Sequence, residues 1–193
     1  MNKKTLLTYG LIAVLFGALG AYFGIKKNAS PNVPAPTAAT SATAPAPAGA
    51  ALTPVDKLFA ASMDDTASKK QALAQWKGKP LLVNFWAPWC APCVQEMPEL
   101  DTLAKESVSK NINIVGIGID SPTNLIEFAT KHKISYPLYM SGMGGTDLAR
   151  DFGNTAGGLP FTVLIGADGQ VKKTYLGRLK FDELKADLAA LKG

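Results

Sequence analysis

Cys90 and Cys93 are the only cysteines among 193 residues, and they stand three apart. A stabilising cross-link gains by closing a long loop, so this pair is not a structural staple. The spacing suits exchange between dithiol and disulfide, because residues three apart share one helical face. The segment Trp86-Ala87-Pro88-Trp89-Cys90-Ala91-Pro92-Cys93 leaves an apolar run and enters a helical pattern at about Cys90. Cys90 thus falls at a helix N-terminus, where unpaired N–H groups and the helix dipole lower a thiol from about 8.5 toward neutrality. Cys93 lies one turn further in and is placed to resolve a mixed disulfide formed on Cys90. Zinc chemistry is poorly supplied, since a structural site takes four Cys or His ligands and the chain has one histidine, His132. A copper module using Cys90 and Cys93 as soft ligands stays open as the alternative.

Positioning such a pair takes a buried strand before it and a helix behind it. Leu81–Trp86, between Pro80 and Pro88, is a short apolar run and predicts a strand buried on both faces. A helix is predicted from about Cys90 to Lys105, with Cys93, Met97, Leu100 and Ala104 at helical spacing and Pro98 kinking it. Ile112–Ile119 predicts a second central strand, with Gly116 and Gly118 on one face for close helix packing. Strand, helix, strand in that order implies a parallel crossover. Ser121-Pro122 opens a further helix through Lys131, and a helical piece covers about Asp147–Phe152. Phe161–Ile165 and Val171–Leu176 flank a loop containing Asp168-Gly169, a hairpin with one wet face. Leu184, Leu188 and Leu191 mark a closing amphipathic helix. The prediction is an α/β domain with a mixed sheet over 53–193.

Other conspicuous residues take ordinary readings. His132 suits a helix end, Trp76, Trp86 and Trp89 read mainly as packing, and Met140 and Met143 are discounted as metal ligands. Trp89 alone, beside Cys90, has a second reading as surface met by a partner.

The rest of the chain is of another kind. The net charge of +5 comes from the N-terminus: without Lys3, Lys4, Lys26 and Lys27, 16 basic residues face 15 acidic ones. A neutral domain has no footprint for a phosphate backbone, which excludes nucleic-acid binding. Thr5–Ile25 holds 21 residues without a charge, long enough for a membrane-spanning helix. Residues 1–27 therefore read as a signal anchor, with cleavage near Ala18-Leu19-Gly20 as the alternative. Residues 28–52, rich in Ala and Pro and uncharged, read as a tether.

WAPWCAPC, followed downstream by GGLPFTVLIGADG, resembles the thioredoxin fold over essentially all of 53–193. Gly78–Ala87, Cys90-x-x-Cys93-x-x-Glu96-x-Pro98 and the insertion with Tyr136-Pro137 resemble, more narrowly, the membrane-anchored reductases of the TlpA/ResA type. The resemblance implies a mixed sheet flanked by helices and a cis peptide at Pro160 beside the cysteines. It also implies a client strand against Leu159, and no cofactor beyond the Cys90–Cys93 disulfide. Thioredoxin has a buried Asp where this chain has Asn84; Glu96, one turn beyond Cys93, is then either its substitute as proton acceptor or an ordinary early-helix Glu. Without a His between the cysteines to stabilise the Cys90 thiolate, a reductant is favoured over a strong oxidant. The resemblance further implies a domain outside the cytoplasm on a bacterial inner membrane, in the periplasm. Its clients would be protein disulfides, in apocytochrome c or a copper-site protein, and its electrons would come from a membrane thiol transporter. A peroxidase is disfavoured, since no Thr or Ser precedes either cysteine by three residues.

Overall fold

The computed structural model describes residues 51–107 and 111–191. The predicted span Thr5–Ile25 and nearly all of the tether lie outside the described residues. Among those described, no helix is long and apolar enough to cross a membrane.

The elements run α1 (Pro54–Ala60), β1 (Ser62–Asp65), β2 (Lys70–Ala72), a 3₁₀ turn (Leu73–Trp76), β3 (Leu81–Trp86) and α2 (Ala91–Ser107). They continue with β4 (Asn113–Gly118), α3 (Pro122–His132), β5 (Leu138–Met140), α4 (Gly144–Asp151), β6 (Phe161–Ile165), β7 (Val171–Leu176) and α5 (Phe181–Ala190). One sheet holds all seven strands in the order β2-β1-β5-β4-β3-β6-β7. β3 is parallel to β4 and antiparallel to β6, and β4 is parallel to β5, so the sheet is mixed. This is the thioredoxin fold that the resemblance implied.

Every residue of β3 is buried, as a central strand covered on both faces must be. Its alternation divides the core in two. Leu82 and Trp86 join Cys93, Met97 and Leu100 of α2, Leu125 of α3, and Leu184 and Leu188 of α5. Leu81, Val83 and Phe85 join Leu58 and Phe59 of α1 and Leu148 of α4. The predicted elements from β3 onward are present with ends shifted by a few residues. α2 runs on unbroken through Pro98, whose missing N–H leaves one carbonyl, that of Val94, without its helical partner.

Several elements escaped the periodicity reading. α1, β1, β2 and β5 are three to seven residues long, too short for a period to register. α1 nevertheless carries a capping box, with Thr53 Oγ1 accepting from the Asp56 N–H and Asp56 reaching back to the Thr53 N–H. α4 begins three residues before its predicted start, at Gly144. A Cβ on Gly145 would meet Ile119 at 2.9 Å, so glycine serves close packing there. His132 stacks on Phe128 with ring centroids 4.2 Å apart, and Trp89, read mainly as packing, is 68% exposed.

The two β4 glycines serve different neighbours. At Gly118 a Cβ would lie 2.5 Å from Leu125 Cδ2 of α3, the expected helix contact. At Gly116 it would instead meet Leu138 of β5 and the side chains of Trp86 and Tyr136. Gly118→Ala is therefore expected to destabilise the chain by about 1–3 kcal/mol through overpacking. Combining it with Leu125→Ala should cost measurably less than the sum of the two single changes in denaturant unfolding. Strict additivity would show that α3 is not seated on Gly118.

Candidate active site

β3 ends at Trp86, and the chain turns through Ala87–Trp89 before α2 begins. The Cys90 N–H donates to Ala87 O at 3.1 Å, closing that turn, and the Val94 N–H donates to Cys90 O at 3.1 Å. Cys90 is thus the cap residue of α2, and Cys93 lies inside the first turn. The two are joined as a disulfide with Cα atoms 5.3 Å apart. The Cys93 N–H points at Cys90 Sγ at 3.3 Å, a donor placed to stabilise negative charge on that sulfur. Cys90 retains 5% of its surface and Cys93 none, so an incoming thiol or disulfide meets Cys90.

Glu96 follows one turn later on the inward face of α2 and is fully buried. Its Oε1 accepts from Asn84 Nδ2 at 2.9 Å, and its Oε2 accepts from the Leu179 N–H at 3.0 Å. Asn84 Nδ2 also donates to Thr162 Oγ1 at 3.0 Å. One carboxyl thereby ties α2 to β3, β6 and the segment after β7. Burial pushes the Glu96 carboxyl above the ordinary glutamate range, while the Leu179 N–H, the Asn84 amide and the Arg178 charge pull the other way. An early-helix Glu placed only for the dipole would face solvent; this one is held by two donors in the core.

Trp89, which adjoins Cys90 in the chain, borders a groove of about 620 Å³. Its lining includes Trp89, Ile119, Met143, Thr146 and Leu159, so Trp89 and Leu159 share one surface. Met143 is 77% exposed there, at the entrance to α4. The Leu159–Pro160 peptide is cis. Phe85 pairs with Phe161, so one further register step sets Pro160 across from Trp86, at the foot of the Cys90 turn. Among the described residues, no cluster of three or more His, Cys, Asp or Glu side chains is placed to hold a metal.

Several contributors to the site were not singled out from sequence. Asn154 is buried and clamps Gly158 from both sides, accepting its N–H at 3.1 Å and donating to its carbonyl at 2.9 Å. That fixes the loop leading to Pro160. Its signal was the Gly153-Asn154 pair ahead of a glycine-rich loop, a sequence that favours side-chain-to-backbone turns. Thr162, Arg178 and the Leu179 N–H carried no local signal, because only the sheet order brings them to Glu96. Asp101, in the middle of α2, accepts from Ser135 N at 2.7 Å and Tyr136 N at 3.2 Å, and so fastens the segment before β5.

A stability test follows from the Glu96 environment. The unfolded carboxyl titrates near 4.3, and the folded one titrates higher, so the folded chain binds this proton more tightly. Its contribution to stability is complete below about pH 4.3 and lost as pH rises through the elevated folded value. Oxidised full-length chain should therefore lose stability with rising pH across that window, and Glu96→Gln should flatten this component. Denaturant unfolding at a series of pH values measures it, and parallel curves for the two chains would contradict the assignment.

Comparison with known proteins agrees with this geometry. The Redoxin family profile matches residues 39–188. Thiol-disulfide oxidoreductase ResA of Geobacillus thermodenitrificans is 28% identical over 131 residues, covering 67% of this chain and 73% of that protein. The thioredoxin-like protein YneN of Bacillus subtilis is 28% identical over 131 residues, covering 66% of this chain and 74% of its own. Among solved structures, a thiol:disulfide interchange protein of the thioredoxin family from Chlorobium tepidum superposes with a TM-score of 0.63. It is 26% identical, over 76% of this chain and all of that one. The chain belongs to the Redoxin family, as a thiol-disulfide oxidoreductase of the ResA/TlpA-like kind.

Proposed function

We propose that the protein reduces disulfides of client proteins, with Cys90 attacking and Cys93 resolving. The observation that carries this reading is the asymmetry of the pair: Cys90 at the helix start, in reach of solvent and facing the Cys93 N–H, and Cys93 buried one turn from Glu96. In the reduced enzyme the Cys90 thiolate attacks one sulfur of the client disulfide. A Cys90–client bond forms, the client S–S bond breaks, and the second client sulfur leaves as a thiolate. Cys93 then gives its proton to the Glu96 carboxylate and attacks Cys90 Sγ. The Cys90–Cys93 disulfide forms, the first client sulfur is released, and two electrons have passed to the client.

The groove supports a protein client over a small thiol. Trp89, the neighbour of the attacking cysteine, and Leu159 line one largely apolar groove, and the Asn154 clamp fixes the backbone that leads to Pro160. The disulfide serves as the redox group without a further cofactor. In this reading the chain is held by its 1–27 segment to a bacterial inner membrane, with the domain in the periplasm at the end of the 28–52 tether. Recharging a reductant in an oxidising compartment requires electrons from a membrane thiol transporter. Apocytochrome c or a copper-site protein is the proposed client.

Trapping names the client and assigns the cysteines. Cys93→Ser in cells should leave partners bonded to Cys90, separable on non-reducing gels and identified by mass spectrometry. Cys90→Ser should trap few or none, and the opposite pattern would reverse the two roles. Substituting Glu96 by Gln should slow turnover of the full-length enzyme at neutral pH by about 10²-fold, within the range for losing a general base. The couple of Cys93 and Glu96 titrates as a unit, so its limb of the pH–rate profile should disappear or move as one. An unchanged profile would remove Glu96 from the mechanism.

A further inference from the structure

Three side-chain atoms on the α2 face of the sheet are buried without a protein hydrogen-bond partner: Asn84 Oδ1, Trp86 Nε1 and Tyr136 Oη. Trp86 and Tyr136 meet over Gly116, and Asn84 stands beside it on the neighbouring strand. Asn84 is the register partner of Gly116. A Cβ built on Gly116 would lie 3.1 Å from Trp86 Nε1 and 3.3 Å from Tyr136 Cε2, the ring carbon next to the one bearing the hydroxyl. The missing side chain of Gly116 therefore leaves room for the Trp86 indole and the Tyr136 ring above β4, together with Leu138 Cδ2, which would lie 2.5 Å from that Cβ.

Their hydrogen-bonding capacities are complementary. The indole N–H only donates. Asn84 Oδ1 can only accept, and the amide has no donor to spare, since both its hydrogens are spent on Glu96 and Thr162. Turning the amide over would set its oxygen against the Glu96 carboxylate. The phenol can do either. Leaving a buried polar atom unpaired costs about 1–3 kcal/mol, whereas a buried water typically makes about three hydrogen bonds to such atoms. Tyr136 does not reach this point by chance, since Asp101 of α2 accepts its N–H and that of Ser135.

We propose that Asn84 Oδ1, Trp86 Nε1 and Tyr136 Oη together bind one buried water above Gly116, and that this water orients the site. By donating to the acceptor end of the Asn84 amide, it holds the donor end on Glu96. Tyr136 is then a positioning residue, acting on the carboxyl through the water and Asn84. The groups that face Glu96 are Asn84 from β3, the Leu179 N–H and Arg178 after β7, Cys93 on its own helix, and Tyr136 before β5. Among these, Tyr136 can be altered by one atom, its hydroxyl.

The effect on chemistry rests on Glu96 accepting the Cys93 proton, while the water does not. Two measurements on full-length chain in detergent micelles separate them. In ¹⁵N-edited NMR of the oxidised protein, the Trp86 indole proton should show a cross-peak to a long-lived water, and Tyr136→Phe should abolish it. In the pH–rate profile, Tyr136→Phe should move the Glu96 limb upward by about 0.5–1 pH unit, since one hydrogen bond's worth of support for the anion is lost. A wild-type indole without the cross-peak overturns the water site. A cross-peak that survives Tyr136→Phe, or a profile that stays in place when the cross-peak goes, overturns the role of Tyr136. Failure of the Glu96 reading is recognised separately, by a Glu96→Gln profile that matches wild type.

Discussion

A carboxyl group with no access to water, one turn beyond a buried cysteine, is the constraint around which this domain is arranged. An ionised carboxylate cannot be taken out of water without compensating hydrogen bonds. Glu96 finds them in Asn84 and the Leu179 N–H, and Asn84 in turn uses Thr162. That set couples α2 to β3, to β6 and to the chain entering α5. Removing any one of these elements would leave a buried polar group unpaired, so the helix that carries the cysteines cannot shift independently of the sheet.

The proposed division of labour between the cysteines rests on the same placement. The outer sulfur sits at the end of a helix, where donors are free and an anion is favoured; the inner one lies in the core, where an anion is disfavoured unless its proton has somewhere to go. The buried carboxyl, held above its ordinary range, is suited to receive that proton at neutral pH. α2 and its cap residue therefore carry the two sulfurs, the carboxyl, and Asp101, which fastens the segment bearing Tyr136. Spacing along one helix converts a linear motif into a layered site, from solvent to core.

The opposite wall of the site is built by long-range packing. Gly118 lets α3 approach through Leu125, and Ile119 and α4 then line the groove that Trp89 and Leu159 border. Asn154 fixes the loop that ends in the cis Leu159–Pro160 peptide. The exposed position of Trp89 and Met143 on this wall is consistent with a surface made for contact, since large apolar side chains elsewhere are mostly buried.

Much of this was legible in the chain itself, where the signal is local. The apolar run of β3, the helical spacing behind Cys90, the Ser121-Pro122 start and the Asp168-Gly169 turn each depend on residues a few positions apart, and each element formed where its pattern lies. The chemistry of the cysteine pair was equally local. What the sequence by itself determined was therefore the kind and order of the longer elements from β3 onward and the redox pair at a helix start. The tertiary structure decided what surrounds them: that Glu96 points into the core, that Thr162 meets Asn84 and Leu179 meets Glu96 from 78 and 83 residues away in the chain, and that Gly116 makes room for Trp86 and Tyr136 while only Gly118 receives a helix. Those outcomes depend on sheet order and on the direction in which each side chain leaves its element. Local periodicity carries neither, because contacts between distant residues are chosen by the packing of the whole core.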